Sequence, residues 1–409
     1  VAKILFLTQI VPFPPDAGPK VKTYHVIRAL VGQGHFVTLV SFVRPEEVRH
    51  TAALQEICEA VHTVPILRSR IADVGYMIRS YLTNRPFLIE RDDLRPMQET
   101  VNRLVQTNDF QFIHADQLTM VQFAIKGASA FPDKKPKVIF DAHNAVWTIV
   151  ERMKENAPFF LKPVLAIESK RVKQYEGELL QTVDHVLAVT EIDRNLLEDA
   201  LRFSKTGKNE SISPVSVIPI AVDTEKLQPI ARKAGSKNIV TLGTLHYPPN
   251  ADGIRWFFNE VFPLVQKQVP DATLTIIGKN PPQDFVELAE HNPGTIRVTG
   301  YVDDLVPYLE ESALMVVPVR AGGGMRVRIL EAFAYAMPVV TTTVGLEGIH
   351  GTPDHDVLVA DTPADFANRT AELLQNTILQ EKLSTNGREL ATMKYDWQAV
   401  LSAMRPIYE

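Results

Sequence analysis

Residues 313–343, ALMVVPVRAGGGMRVRILEAFAYAMPVVTTT, constrain the fold more than any other stretch. A short apolar run closes on Pro318, and three consecutive glycines follow at Gly322, Gly323 and Gly324. Residues 326–336 then have helical spacing, and Pro338, Val339 and Val340 open a second apolar run. The pattern predicts strand, glycine loop, helix and strand. Glycines lack a Cβ, so the loop's backbone N–H groups can approach a ligand closely. The helix start adds unpaired N–H groups and the positive end of the helix dipole. Arg326 and Arg328 fall in that first turn, where the dipole disfavours cations, which points to an anion to be bound. Glu331 follows Arg328 by three residues and shares its face. Amides and arginines suit phosphate, and a carboxylate suits sugar hydroxyls, so the stretch reads as a nucleotide-diphosphate clamp. The glycines alone fit a plain flexible loop with solvated arginines equally well, and the rest of the chain decides between the two.

The chain has 409 residues, 45% apolar and 22% charged. That suits two α/β domains of ordinary globular composition. A net charge of −5 and a pI near 6.2 argue against general nucleic-acid binding, which needs a basic surface. The single cysteine, Cys58, excludes an internal disulfide and a cysteine-rich metal site, and fits a reducing cytosol. No apolar run reaches the about 20 residues needed to span a bilayer. The opening VAKILFLT reads as a core strand rather than a signal peptide.

In the first half, residues 3–8 read as a strand of a parallel sheet covered on both faces. A proline-rich loop holding Gly18 leads into a helix to about residue 32, and residues 35–42 form the next strand, completing a right-handed βαβ unit. Gly18 is a candidate phosphate contact at the helix start, although a plain turn is the simpler reading of a lone glycine. Two further strands end in His114 and Asp116, then in Asp141, His143 and Asn144. Strand C-termini form the ligand crevice of open α/β sheets. His143 is therefore a candidate to donate a hydrogen bond to a sugar hydroxyl or to shape the reaction site, with a structural role weighing equally. Residues 68–85 depart from the acidic average, with Ile71, Val74, Ile78 and Tyr81 at helical spacing among Arg68, Arg70, Arg79 and Arg85. Such a helix suits contact with an anionic membrane surface or a lipid-phosphate acceptor. The favoured reading is a surface helix packed by its apolar stripe. Thr190 and Asp193 have capping-box spacing, residues 203–214 form a polar loop, and residues 215–219 form a strand leading into the second half.

In the second half, three strands end at Gly243, Gly278 and Gly300. Together with the triple glycine they imply close backbone approach along one sheet edge, as in a nucleotide cradle. Asn250 is the expected N-cap of a helix over residues 251–268.

These segments resemble retaining GT-B glycosyltransferases of glycosyltransferase family 4, of the bacterial cell-envelope and exopolysaccharide type. The resemblance rests on VIPIAVD (217–223), LGTLHYPPN (242–250), TIIGKNPP (275–282), IRVTGYVDDLVPYL (296–309) and GGGMRVRILEAFAYAMPVVTTT (322–343). YEGELLQTVDHVLAVTEID (175–193) and the N-terminal TQIVPFPPDAGPKVKTYHVIRAL extend it across the chain. It implies an α/β GT-B fold, two Rossmann-like doubly wound domains facing a central cleft. Residues 1–214 would bind the acceptor and residues 215–392 the nucleotide sugar, and residues 393–409 would form a helix packing back on the first domain.

By the same resemblance, Glu331 matches the second carboxylate of the family's E-x7-E motif and would bind ribose hydroxyls. Gly323 stands where the first carboxylate would be, so the amides of Gly323, Gly324 and Met325 would hold the donor sugar. The loop TLHYPPN lacks the family's Arg and Lys for the diphosphate. Arg326 and Arg328 are the candidate replacements, with Lys279 and Thr244 also at the nucleotide. Tyr301 and Val302 match the base-contacting loop, Gly18 the glycine near the phosphates, and His143 the histidine near the donor sugar. The implied reaction moves a sugar from a nucleotide-sugar donor, a UDP-sugar such as UDP-glucose, to a glycan or lipid-linked acceptor. It needs no metal or other cofactor, and Asp303 with Asp304 reads as a helix start rather than a metal site. The expected setting is cytoplasmic, with peripheral contact at the inner face of the membrane and no nucleic-acid partner. The alternatives are a nucleotide-sugar epimerase on the same fold and a non-catalytic binding subunit.

Overall fold

The computed structural model describes residues 1–15, 18–204 and 212–409. The chain divides into two units, Val1–Ile220 with Val400–Glu409, and Ala221–Ala399. Most of the predicted polar loop 203–214 lies outside the described residues.

The first unit is a parallel sheet of β1 (Lys3–Thr8), β2 (Phe36–Val43), β3 (Ala60–Pro65), β4 (Phe112–Asp116), β5 (Lys137–Ala142), β6 (His185–Ala188) and β7 (Val215–Val217). Its spatial order is β3-β2-β1-β4-β5-β6-β7. The strands are apolar runs because helices cover both faces. Phe6, Phe42, Phe123 and Phe140 are wholly buried, and each such side chain contributes roughly 1.5–3 kcal/mol by leaving water. Residues 215–217 pair with β6 in parallel, Val186 opposite Val215. They therefore close the first sheet instead of opening the second domain, whose unit begins at Ala221. A β-rich run at a junction pairs with whichever sheet edge is free, and here that is β6.

The second unit holds β8 (Asn238–Leu242), β9 (Thr273–Ile277), β10 (Ile296–Val298), β11 (Leu314–Val317), β12 (Val339–Thr341) and β13 (Leu358–Val359). The order is β10-β9-β8-β11-β12-β13. Both sheets therefore reverse direction of growth beside their first strand, between β1 and β4 and between β8 and β11. Such switch points leave a crevice beyond the strand C-termini. The helix expected over residues 251–268 begins earlier, at Pro248, with Tyr247 as its N-cap. Proline suits the first helical position because it lacks the N–H that would go unpaired there. Asn250 is thereby freed for another role.

The helix Arg70–Thr83 corrects a second expectation. Its apolar stripe does not pack: Ile71, Val74 and Ile78 are 86, 59 and 58% exposed. Among the described residues no helix is long and apolar enough to cross a membrane.

Candidate active site

At the first switch point the strand ends carry a buried polar network. Asp116 ends β4 and is wholly buried. Its Oδ2 accepts from the hydroxyls of Thr8 at 2.8 Å and Thr23 at 2.9 Å. Its Oδ1 lies 2.7 Å from His143 Nε2. Thr8 ends β1, and Lys22 and Thr23 sit in the first turns of the helix Gly18–Gly32. Lys22 forms a buried ion pair with Asp141. Beyond it, His114 Nε2 is 3.5 Å from Asp141 Oδ2, and His114 Nδ1 hydrogen-bonds the Tyr408 hydroxyl. Burial opposes the charge on Asp141, but the Lys22 ammonium and the His114 contact outweigh it and hold the carboxyl below its usual range. Burial, and then the Asp141 charge, push the Tyr408 phenol well above its own.

Geometry fixes which ring nitrogen of His143 faces Asp116. An ionised carboxylate only accepts hydrogen bonds, and two hydroxyls already donate to Asp116. The Nε2 of His143 therefore carries the proton, and Nδ1 has no hydrogen-bond partner among the described residues. In the neutral ring Nδ1 is an acceptor, so its free nitrogen would accept from a hydroxyl rather than donate to one.

The loop bearing His143 is pinned from behind. Glu176 is wholly buried, and its two oxygens accept from the backbone N–H groups of Val146 at 2.8 Å and Trp147 at 2.9 Å. It thereby satisfies unpaired donors at the start of the helix Val146–Asn156. Burial pushes its carboxyl up to about 8, against those two N–H groups and with Asp193 adding. Thr190 accepts from the Asp193 N–H at 3.0 Å, the N-cap half of the expected capping box, while its hydroxyl donates to the Asp193 carboxylate at 2.6 Å instead of the Thr190 N–H doing so.

His114, Asp116 and Asp141 offer ligand atoms close enough to share a metal ion. The set does not fit one well, because the Lys22 ammonium already neutralises Asp141 and Asp116 is taken by two hydroxyls and His143.

At the second switch point the lining is backbone and arginine. Gly322 and Gly324 have φ of +100° and +85°, conformations that side chains resist. The loop turns back on Arg326, whose guanidinium donates to the carbonyls of Gly322 at 3.0 Å, Gly323 at 2.6 Å and Gly324 at 2.8 Å. Arg326 is the N-cap of the helix Val327–Ala334 and lies outside the first turn where its spacing had put it. Arg328 joins the two sides of the switch point. It donates to the Leu242 carbonyl at the end of β8 at 2.9 Å and to Asn250 Oδ1 at 2.7 Å. A Cβ on Gly243 would run into that guanidinium, which explains the glycine. Burial, reinforced by the Arg326 charge, lowers the Arg328 pKa to about 10. Burial raises that of Glu331, with Arg328 opposing.

The structure thus brings Arg326, Arg328, Gly323, Gly324, Met325 and Glu331 together on one loop and helix start. Thr244 is exposed in the facing loop, where its carbonyl accepts from Asn250 at 3.2 Å. Lys279 and Tyr301 adjoin each other at the ends of β9 and β10, with the ammonium 4.4 Å from the ring centroid, and Val302 follows. Gly278 approaches the Gly243 backbone closely, whereas Gly300 is there for its φ of +72°. Gly18 opens its helix in the first unit, as does the loop bearing His143 there. Sequence reasoning assigned no role to Thr8, Lys22, Thr23 or Glu176, and gave Asn250 a capping role that Tyr247 takes. Asp116 and Asp141, both at strand C-termini, were the available signal.

Two doubly wound parallel sheets whose first six strands run in the same order, each with a polar switch point, define a two-domain α/β enzyme of Rossmann-like build. The sequence model of Glycosyltransferase Family 4 matches residues 18–226, about half of the chain, and that of Glycosyl transferases group 1 matches residues 236–376. The chain belongs to glycosyltransferase family 4. It is 21% identical, over 99% of both chains, to an uncharacterized 44.6 kDa protein in the cps region of Klebsiella pneumoniae. Its fold is that of Anabaena HepE solved with UDP and glucose, at TM-score 0.63 and 14% identity over 100% of this chain and 99% of that one. Sucrose-phosphate synthase of Thermosynechococcus elongatus aligns at TM-score 0.68 and 16% identity over 99% and 98%. The fold is therefore GT-B, and the chain is a glycosyltransferase.

Proposed function

We propose that the enzyme transfers a glycosyl group from a UDP-sugar such as UDP-glucose to a hydroxyl of a glycan or lipid-linked acceptor in polysaccharide assembly, at the cytoplasmic side of a membrane. The observation that carries this reading is Arg328, held between β8 and Asn250 beside the glycine loop. It places a cation and free amides together, as a diphosphate leaving group requires. HepE bound to UDP supports the donor class, and the cps-region relative supports the pathway class.

In this scheme the acceptor oxygen attacks the anomeric carbon on the face the diphosphate leaves. The bond from that carbon to the phosphate oxygen breaks, and the acceptor proton passes to the departing phosphate, giving retention. Arg328 stabilises the growing negative charge. Arg326 keeps the glycine loop closed so that the amides of Gly323, Gly324 and Met325 face the donor. Glu331 receives the ribose hydroxyls, and Tyr301, Val302, Thr244 and Lys279 border the base and phosphates. Gly18, at the start of its own helix, is the proposed phosphate contact of the N-terminal sequence. His143, oriented by Asp116, accepts a hydrogen bond from a sugar hydroxyl. The cationic charge comes from arginine, so the scheme uses no metal.

Calorimetry with UDP, GDP and ADP tests the reading. UDP binding that is lost in Glu331→Ala supports it, and the anomeric configuration of the product, read by NMR, decides retention. Preference for GDP or ADP overturns the donor. Absence of binding by all three overturns the site.

A further inference from the structure

The helix Arg70–Thr83 is inverted relative to a helix that packs on a core. Its one buried side chain is Ser80, while Ile71, Val74, Ile78 and Leu82 are 86, 59, 58 and 83% exposed. At 3.6 residues per turn these four fall on a stripe about 80° wide on the side opposite Ser80. Met77 and Tyr81 widen it, and Leu67 is exposed just before it. A second exposed apolar group lies at Phe159, Phe160 and Leu161, continuing into Val164 and Ile167 of the helix Lys162–Leu179. Arg171 ties the two helices together. Its guanidinium lies 4.6 Å from the Tyr81 ring centroid and its Nε donates to Asn84 at 3.0 Å.

The same face is basic in a chain of net charge −5. Residues 67–85 hold Arg68, Arg70, Arg79 and Arg85 against Asp73, and residues 159–171 hold Lys162, Lys170 and Arg171 against Glu168. The acids that pair with Arg68, Arg79 and Arg85 include Asp92 and Glu90, which are wholly buried while the arginines remain 31, 52 and 30% exposed. Those three charges are thereby matched from within, and the outward positive charge rests on Arg70, Lys162 and Lys170, which pair with no acid among the described residues.

We propose that this face docks on an anionic lipid bilayer. Ile71, Ile78, Leu82 and Phe159 enter the boundary between headgroups and acyl chains, as the apolar side of an interfacial helix does. Arg70, Lys162 and Lys170 engage the lipid phosphates. A second copy of the chain fits less well, because a two-fold pair sets this face against itself and its basic rim against the same rim. The docking goes beyond the transfer chemistry and stands or falls separately from it.

Cosedimentation of the full chain with phosphatidylcholine vesicles, with and without phosphatidylglycerol, tests it. Binding to the anionic vesicles alone is expected. The double variant Ile71→Asp, Leu82→Asp should bind them at least about tenfold more weakly through lost apolar insertion. The double variant Arg70→Glu, Lys170→Glu should lose about tenfold or more through charge. Circular dichroism and UDP calorimetry on the same samples verify the fold and keep the donor reading distinct. Absence of vesicle binding overturns the proposal, as does equal binding to neutral vesicles. A concentration-dependent dimer abolished by the same apolar substitutions, without vesicle binding, overturns it in favour of self-association.

Discussion

At the switch point of the first sheet, Asp116 and Asp141 are wholly buried and already matched by Lys22, two threonines and two histidines. At the switch point of the second, glycine backbone surrounds two arginines that rest on carbonyl oxygens and one amide side chain. The first six strands run in the same order on both sides of the comparison, and only the first sheet adds a seventh. The difference lies in what completes the charge. The first site carries its own counter-charges and so works by orientation. The second sets two arginines, hydrogen-bonded to neutral dipoles, beside the one carboxylate of Glu331, and so has positive charge left for a ligand.

The largest expected break in this comparison is Arg328→Ala. It removes the cation of the second site, and turnover should fall about 100- to 1000-fold, as for other transition-state charge partners. Arg328→Lys should recover little, because one ammonium spans Leu242 and Asn250 poorly. Steady-state kinetics with a UDP-sugar, alongside thermal unfolding, checks both.

Asp116→Asn is the matching test of the first site. The amide would donate where the carboxylate accepts, moving the His143 proton to Nδ1. A loss of about 100-fold in turnover with unchanged UDP affinity is expected, by analogy with wrong-tautomer effects in other histidine enzymes. Nitrogen-15 NMR of the imidazole reads the tautomer directly. An unchanged tautomer would refute the orientation role.

Glu331→Ala should weaken UDP by about ten- to a hundredfold, the worth of one or two hydrogen bonds to a charged group. Calorimetry reads this, and turnover at saturating donor should change less than affinity.

The last effect, on stability and not on turnover, concerns Glu176. Its folded pKa of about 8 lies above the ordinary 4.5. The folded state therefore holds the proton more tightly, and the stability this contributes is complete below about 4.5 and lost as pH rises through 8. Denaturant midpoints should fall from pH 5 to pH 8 in the parent and fall less in Glu176→Gln.

How much of this was legible in the sequence depended on distance along the chain. The glycine loop, the strand ends at Asp116 and Asp141 and the Thr190 cap are local patterns, and each is present where it was read. The direction of a stripe is not local. Ile71, Val74 and Ile78 announce a helix by spacing, but spacing is the same whether the stripe faces a core or water. The partners that hold Arg328, Leu242 and Asn250, lie 86 and 78 residues away. The roles of Thr8 and Lys22 depend on contacts spanning 108 and 119 residues. A one-dimensional pattern carries no trace of such pairs. Val215–Val217 was counted with the second domain for a related reason, since strand character does not say which sheet edge is free.

The path of the backbone has a consequence of its own. Ala221–Ala399 begins and ends inside the sequence of the other unit, which resumes at Val400. Where it begins and ends, Val222 donates to the Tyr395 carbonyl at 2.8 Å and Trp397 donates back to Val222 at 3.0 Å. The second unit is thus an insertion whose two ends meet, a closed module spliced into a host. A host interrupted this way tolerates exchange of the insert for another with equally adjacent ends. Donor preference would then travel as a cassette while His143, Asp116 and the exposed basic helix stay behind.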